Sequence, residues 1–263
     1  MIKTILTLAK MQLNQYTIYK SNFYLFSLNR LMEVVVYLFV WQAIYLQTGD
    51  AGGFTLSQMV TYYILVVSIT PIVLWGVNED MGHSIRTGRI NKELLNPISY
   101  FKYYFGVDLG EIAFAVVVGI AVFIVCAIFW EVTLPVSFLN FVIFLFVILL
   151  GIPITFFLQM IAETIGFYSE SIWGIQILRK SIISIFSGVI APITLFPQWF
   201  QNIANILPFQ ELIYTPINIW LGEFDMSTLY FVILKQIIWI IIVYFVSKKF
   251  FEHAVKKITI NGG

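Results

Sequence analysis

Charge is what this sequence has least of. Asp, Glu, Lys and Arg make up 11% of its 263 residues, where a soluble globular domain carries about 25%. That excludes an ordinary soluble enzyme or binding module, and no nucleic-acid partner is expected. Cysteine is almost missing too. Cys126 is the only one and lies in an apolar run, so no intrachain disulfide is possible and a free buried thiol is expected. The chain has no GxxxxGK[ST] stretch, hence no phosphate-cradling loop for nucleotide hydrolysis. Neither His83 nor His253 sits in an HExxH or paired-ligand pattern, so no metal site is expected and both read as solvated. There is no G-x-S-x-G elbow, and the membrane-depth serines and acids lack a neighbouring histidine, which argues against an intramembrane hydrolase. Residues 1–10 lack the continuous apolar core and small-residue cleavage site of a signal peptide. Internal repeats and low-complexity tracts are also missing.

What is present is apolar. Hydrophobic residues reach 60% and aromatic residues 17%, the composition of a polytopic membrane protein with interfacial aromatic belts. The fold class expected is therefore an all-α integral membrane protein, a single transmembrane domain over residues 1–263. Six segments meet the length of about 20 residues that a hydrocarbon core demands: 23–46, 57–77, 104–129, 138–161, 172–195 and 229–246. Before them, residues 1–20 read either as a basic amphipathic helix in the headgroup layer or as an extension of the first span. Lys3, Thr7, Lys10 and Asn14 share one face, and Ile2, Leu6, Ala9 and Leu13 form a neighbouring stripe.

Orientation follows from the bases. Lysine and arginine cluster at the N-terminus, in residues 78–105 and in the C-terminal tail, while connections 47–56, 130–137 and 196–228 hold none. Those three carry only acids, among them Asp50, Glu131, Glu211, Glu223 and Asp225. Both termini are then cytoplasmic, in a multi-pass protein of a bacterial plasma membrane.

Seven charges fall inside spans, four of them in the first and third. Arg30 and Glu33 stand three residues apart on one helix face and are expected to pair. Together with Asp108 and Glu111 they read as a self-neutralising cluster near the cytoplasmic end, with substrate or proton binding as the other reading. Arg179 and Lys180 lie near the start of the fifth span, and Lys235 is expected to snorkel to the outer interface.

Two connections stand out. Residues 188–223 are too apolar for a loop, yet Pro192, Pro197, Pro208 and Pro216 break any straight helix. One or two short helices dipping into the outer leaflet over 192–216 fit both facts, with a turn near Gln201–Asn205; a peripheral amphipathic loop is the alternative. Its candidate gate residues are Pro192, Phe196, Pro197, Trp199, Pro208 and Phe209. Residues 79–95 are dense in both signs of charge (Glu79, Asp80, Arg86, Arg89, Glu93) and read as too polar to be buried. Gly88 offers a break between two short helices and Pro97 an end to the second. The segment suits docking of a soluble partner, with a solvated spacer as the alternative.

Three stretches carry a family resemblance: Ile85-Arg86-Thr87-Gly88-Arg89-Ile90 with Leu94-Leu95-Asn96-Pro97; Ser187-Gly188, Ala191-Pro192, Phe196-Pro197 and Leu207-Pro208-Phe209; and Tyr214-x-Pro216 with Leu221-Gly222. Their order and placement resemble the type-2 ABC exporter permeases. The resemblance implies a cytoplasmic coupling helix after the second span, contacting an ABC ATPase dimer through Glu79, Asp80, Arg86, Gly88, Arg89 and Glu93. It also implies an outer re-entrant hairpin and a path at the interface with a second permease subunit, lined by the second and fifth spans. In that setting the chain is not an enzyme, binds no cofactor itself and leaves ATP and Mg²⁺ to the ATPase, with membrane lipids around it. A secondary carrier or channel without an ATPase is the alternative, for which an inverted repeat or paired broken helices would be expected.

Single cysteines at Asp50, Glu131 and Asp225 should react with an impermeant maleimide in intact cells. Labelling only after permeabilisation would overturn the orientation.

Overall fold

The computed structural model describes residues 2–18, 20–48, 52–74, 80–169 and 172–256. Eleven α-helices make up most of them: α1 (Ile2–Ile18), α2 (Lys20–Thr48), α3 (Leu56–Leu74), α4 (Asp80–Arg86), α5 (Ile90–Leu94), α6 (Tyr100–Phe129), α7 (Phe138–Thr164), α8 (Ile172–Ser187), α9 (Gln198–Ile206), α10 (Tyr214–Leu221) and α11 (Met226–Val255). Five of them, α2, α3, α6, α7 and α11, are long and apolar enough to cross a membrane. The chain is thus a multi-pass, all-helical membrane protein. We call the end bearing residues 52–55, 130–137 and 222–225 the outer end, and the opposite one the inner end.

The centre is α3. Its inward side chains, including Met59, Tyr62, Tyr63 and Ile64, are fully buried, and α2, α6, α7 and α10 pack around it. The rest of the bundle is built by two long pairings, α11 against α7 and α1 against α6. Capping is local and legible. Ser99 and Ser137 accept from the amides three residues on. Asp225 accepts from the Thr228 amide at 3.0 Å and from both the Thr228 and Ser227 hydroxyls, which hold its carboxylate down to about 2. The outer connections are stitched together as well. The Thr133 amide donates to the Thr61 hydroxyl at 2.8 Å, and the Trp220 indole donates to the Thr133 carbonyl at 2.8 Å.

Four expectations change. The helix over the fifth expected span stops at Ser187, not 195. At 16 residues it is about 24 Å long, short of a core of about 30 Å. The cause is Gly188, whose φ of 88° ends the helix and whose missing Cβ leaves room for the Tyr62 hydroxyl. That hydroxyl donates to the Gly188 carbonyl at 2.7 Å, and Tyr63 does the same for Ile190 at 2.8 Å. The unwound continuation still climbs the bundle: Ile172 packs on Gly82 and Gly166 at the inner end, while Leu195 reaches Gly52 at the outer end.

The second change concerns α1. It is not an isolated surface helix but runs along α6 in the same direction, Leu8 meeting Gly106, Ala9 and Gln12 meeting Gly110, and Tyr16 stacking on Phe114 at 4.6 Å. Gly110 permits this contact, because a Cβ there would stand 2.4 Å from the Ala9 carbonyl oxygen. Ile2 and Leu6 of the expected apolar stripe are consequently exposed.

Third, the turn expected at Gln201–Asn205 is helical, inside α9. The prolines mark the helix limits instead: Pro197 is the N-cap of α9, and the chain turns at 207–209 around Pro208, since proline lacks the amide that would continue a helix. Fourth, α4 and α5 are not wholly solvated. Met81, Gly82, Ser84 and Ile90 are buried, and the exposed side is carried by His83, residues 87–89, Asn91 and Lys92. Mixed charge along a short amphipathic helix is compatible with one apolar face, which composition alone does not reveal.

Candidate functional site

The polar chemistry collects at two places, one at the inner end of the α3–α7–α8 core and one at the tip of the outer hairpin, about halfway along α7. At the inner end, α4 and α5 are joined through Gly88, whose φ of 72° turns the chain between them. Asp80 and Arg86 are the terminal residues of α4, and Glu79 lies outside the described residues. In α5, Glu93 accepts from Arg89 Nε at 2.9 Å and from the Tyr104 hydroxyl at 2.9 Å, tying the segment to the second turn of α6. Beneath it, Met81 and Ile90 pack with Tyr100, Tyr104, Phe156, Met160 and Phe251, and Tyr100 stacks on Phe251 at 4.8 Å. The segment is therefore seated on the inner ends of α6, α7 and α11 at once.

Glu163 completes this end. It is fully buried in the last turn of α7 and accepts from Gln176 Nε2 of α8; Gln176 Oε1 in turn accepts from Arg179 Nε at 3.0 Å. The Arg179 guanidinium is within electrostatic reach of both Glu163 and Asp108. A Cβ on Gly82 would stand 2.6 Å from Glu163 Oε2, so α4 lies directly against the carboxylate. The successive helices α7 and α8 and the sequence-remote α4 meet at one buried charge.

At the outer end the chain plunges and returns. From a 3-10 turn at Ile193–Leu195 it enters α9, reaches its deepest point at a second 3-10 turn, Gln210–Leu212, and climbs through α10 to Gly222. Leu212 packs on Gly151, which is 13 residues along α7 from Phe138, or about 20 Å below the outer end. Glu211 is buried there and bonds Lys235 Nζ at 2.7 Å. Gln236 Nε2 donates to the carbonyls of Glu211 and Val147, both at 3.1 Å. Lys235 therefore does not snorkel outward; a partner inside the protein is closer. Of the gate candidates, Pro192 and Pro208 are buried, Phe196 stacks on Phe200 at 4.4 Å, Phe209 lies 6.2 Å from Phe186, and Trp199 is exposed, meeting Phe200 edge-on at 5.8 Å.

The four membrane-depth charges are not gathered into one set. Arg30 and Glu33 bond each other at 2.5 Å, with Arg30 also over the Phe26 ring. Glu111 instead accepts from Gln12 at 3.0 Å and from Tyr16 at 3.2 Å, both on α1, and Asp108 is within electrostatic reach of Arg179. Among the described residues no cluster of three or more His, Cys, Asp or Glu could hold a metal ion. Sequence reasoning missed Glu163, Gln176, Glu211 and Gln236 as partners. The available signal was amides and acids inside otherwise apolar runs.

Breaking the outer pair from one side strands a buried charge, at about 3–5 kcal/mol. Lys235→Met alone should therefore lower the unfolding temperature in detergent far more than Glu211→Gln with Lys235→Met. A double variant as unstable as the sum of the two singles would contradict the pairing.

A search of characterised proteins finds no match. The family described as ABC-2 family transporter protein matches residues 31–262, which is most of the chain and takes in α3, both polar ends and all the long helices after it. That family is a membrane transport component, not itself catalytic. The chain belongs to the ABC-2 family of transporter proteins, as a membrane-embedded permease.

Proposed function

We propose that this chain is the permease subunit of an ABC exporter, crossing the membrane six times with both termini inside and driven by a separate cytoplasmic ATPase dimer that carries ATP and Mg²⁺. The observation that carries the reading is the seating of residues 80–95, within a chain of this family. A pair of short helices bent at Gly88 offers a polar face to the solvent, while its apolar face is fixed to three membrane helices and to Glu163. Force applied to that face reaches α8 through Glu163, Gln176 and Ile172 without passing through a flexible linker.

In this reading the sixth pass is α8 with its unwound continuation to Leu195. A second permease subunit covers the exposed side of α8, where Trp173, Ile177, Leu178, Ile182 and Ile185 stand out. The path runs between the two subunits along α8; α3 supports it from behind, since its own side chains are mostly buried. The outer hairpin, stacked on Phe186 through Phe200 at 4.8 Å, closes the exit as part of the outer gate and opens when α8 moves.

Arg86→Glu should lower permease-stimulated ATPase activity and transport on the order of tenfold, because reversing a charge at a docking face opposes association, while membrane insertion is unchanged. Wild-type transport in that variant would leave residues 80–95 a spacer.

A further inference from the structure

A cleft of about 690 Å³ opens at the inner end between the beginning of α6, the second half of α7 and the last turns of α11. Its volume lies within the range of sites that hold small organic ligands. Its walls are aromatic, formed by Phe101, Phe105, Phe156, Phe157, Tyr244 and Phe251. Its mouth is polar and carries Lys102, Lys248 and Glu252 beside Asn96 and Ser99. From Glu252 to Tyr244 the cleft extends about 12 Å along α11, and Pro153, inside α7, lies at its deep side. One leaflet contributes about 15 Å of hydrocarbon. The cleft thus extends most of the way through one leaflet, aromatic in its lining, with Lys102 at the start of α6 and Lys248 about 6 Å along α11 from Glu252 setting two ammonium groups against one carboxylate.

We propose that this cleft binds an anionic phospholipid of the inner leaflet, with an acyl chain along the aromatic walls and the phosphate between Lys102 and Lys248. A small soluble anion would leave the aromatic walls uncovered. A zwitterionic lipid would bring a second positive charge to a mouth that already has an excess of them. The binding rests only on the membrane setting of the chain. Its consequence rests on the proposed ATPase docking: Leu94, the last residue of α5, lines the cleft together with Tyr100 and Phe251, which pack in one cluster with Ile90 of α5, so a filled cleft stiffens the seat of the coupling segment.

The test is native mass spectrometry of the purified full chain in detergent, titrated with phosphatidylglycerol or with phosphatidylcholine of the same acyl chains. Phosphatidylglycerol should bind about tenfold tighter, each lysine near an anionic headgroup contributing severalfold. Lys102→Gln with Lys248→Gln should abolish the preference, and Lys249→Gln, next to the cleft but outside its lining, should preserve it. Equal binding of the two lipids, a preference that survives the double variant, or one lost equally in Lys249→Gln overturns the proposal. Displacement of the lipid by glycerol 3-phosphate would assign the mouth to a soluble anion, and displacement by the cognate ATPase would assign the cleft to protein docking; either result also overturns it. Because the lipid preference is read before any ATPase is added, failure of the docking reading leaves that preference standing.

Discussion

A charge buried in a membrane protein must be answered by the protein itself, and at Glu163 that requirement organises the inner half of this molecule. Water is not at hand to solvate a fully buried carboxylate. It is met instead by Gln176 of α8, backed by Arg179, and α4 closes over it only because position 82 is glycine. Removing any of these parts leaves either a stranded charge or a gap, so α4, α7 and α8 hold one arrangement. The hydrophobic effect contributes little discrimination here, since lipid is as apolar as the helix faces. Polar satisfaction and close packing of small residues take its place.

The same rule recurs at each site where the chain departs from a simple bundle. Glu111 fixes α1 through Gln12 and Tyr16. Glu211, Lys235 and Gln236 fix the tip of the outer hairpin, where irregular backbone would otherwise face hydrocarbon. Tyr62 and Tyr63 answer the carbonyls exposed when α8 unwinds at Gly188. Each device joins one element to another through a buried polar side chain, and the hairpin held in this way packs on Phe186 of α8.

Much of this was legible in the sequence for a physical reason: apolar length and the distribution of Lys and Arg are local properties. They locate the long helices and the broken stretch after Gly188, and Gly88 signals the turn between α4 and α5. Partnerships are not local. Lys235 looked ready to snorkel because nothing near it in sequence is acidic; Glu211, 24 residues away, reaches it only once the hairpin has entered the bundle. Arg30, Glu33, Asp108 and Glu111 looked like one set because depth was the only coordinate available. Rotation about the helix axis sends Glu111 toward α1, where Gln12 and Tyr16 meet it. Hydropathy overstates the length of α8 for a similar reason: residues 188–195 remain apolar after the helix ends at Ser187, and hydropathy does not distinguish unwound from helical backbone.

The central claim is that the inner segment and α8 move as one body. Spin labels at Thr87, exposed on the turn after α4, and at Gly174, where a Cβ meets nothing within 4 Å, report this directly by pulsed electron resonance in the reconstituted permease–ATPase complex. The account predicts a narrow distance distribution that stays unchanged between the nucleotide-free and ATP-trapped states, and that broadens in Glu163→Ala. A distance that shifts on ATP binding in the wild-type chain, or a distribution indifferent to Glu163→Ala, would contradict it.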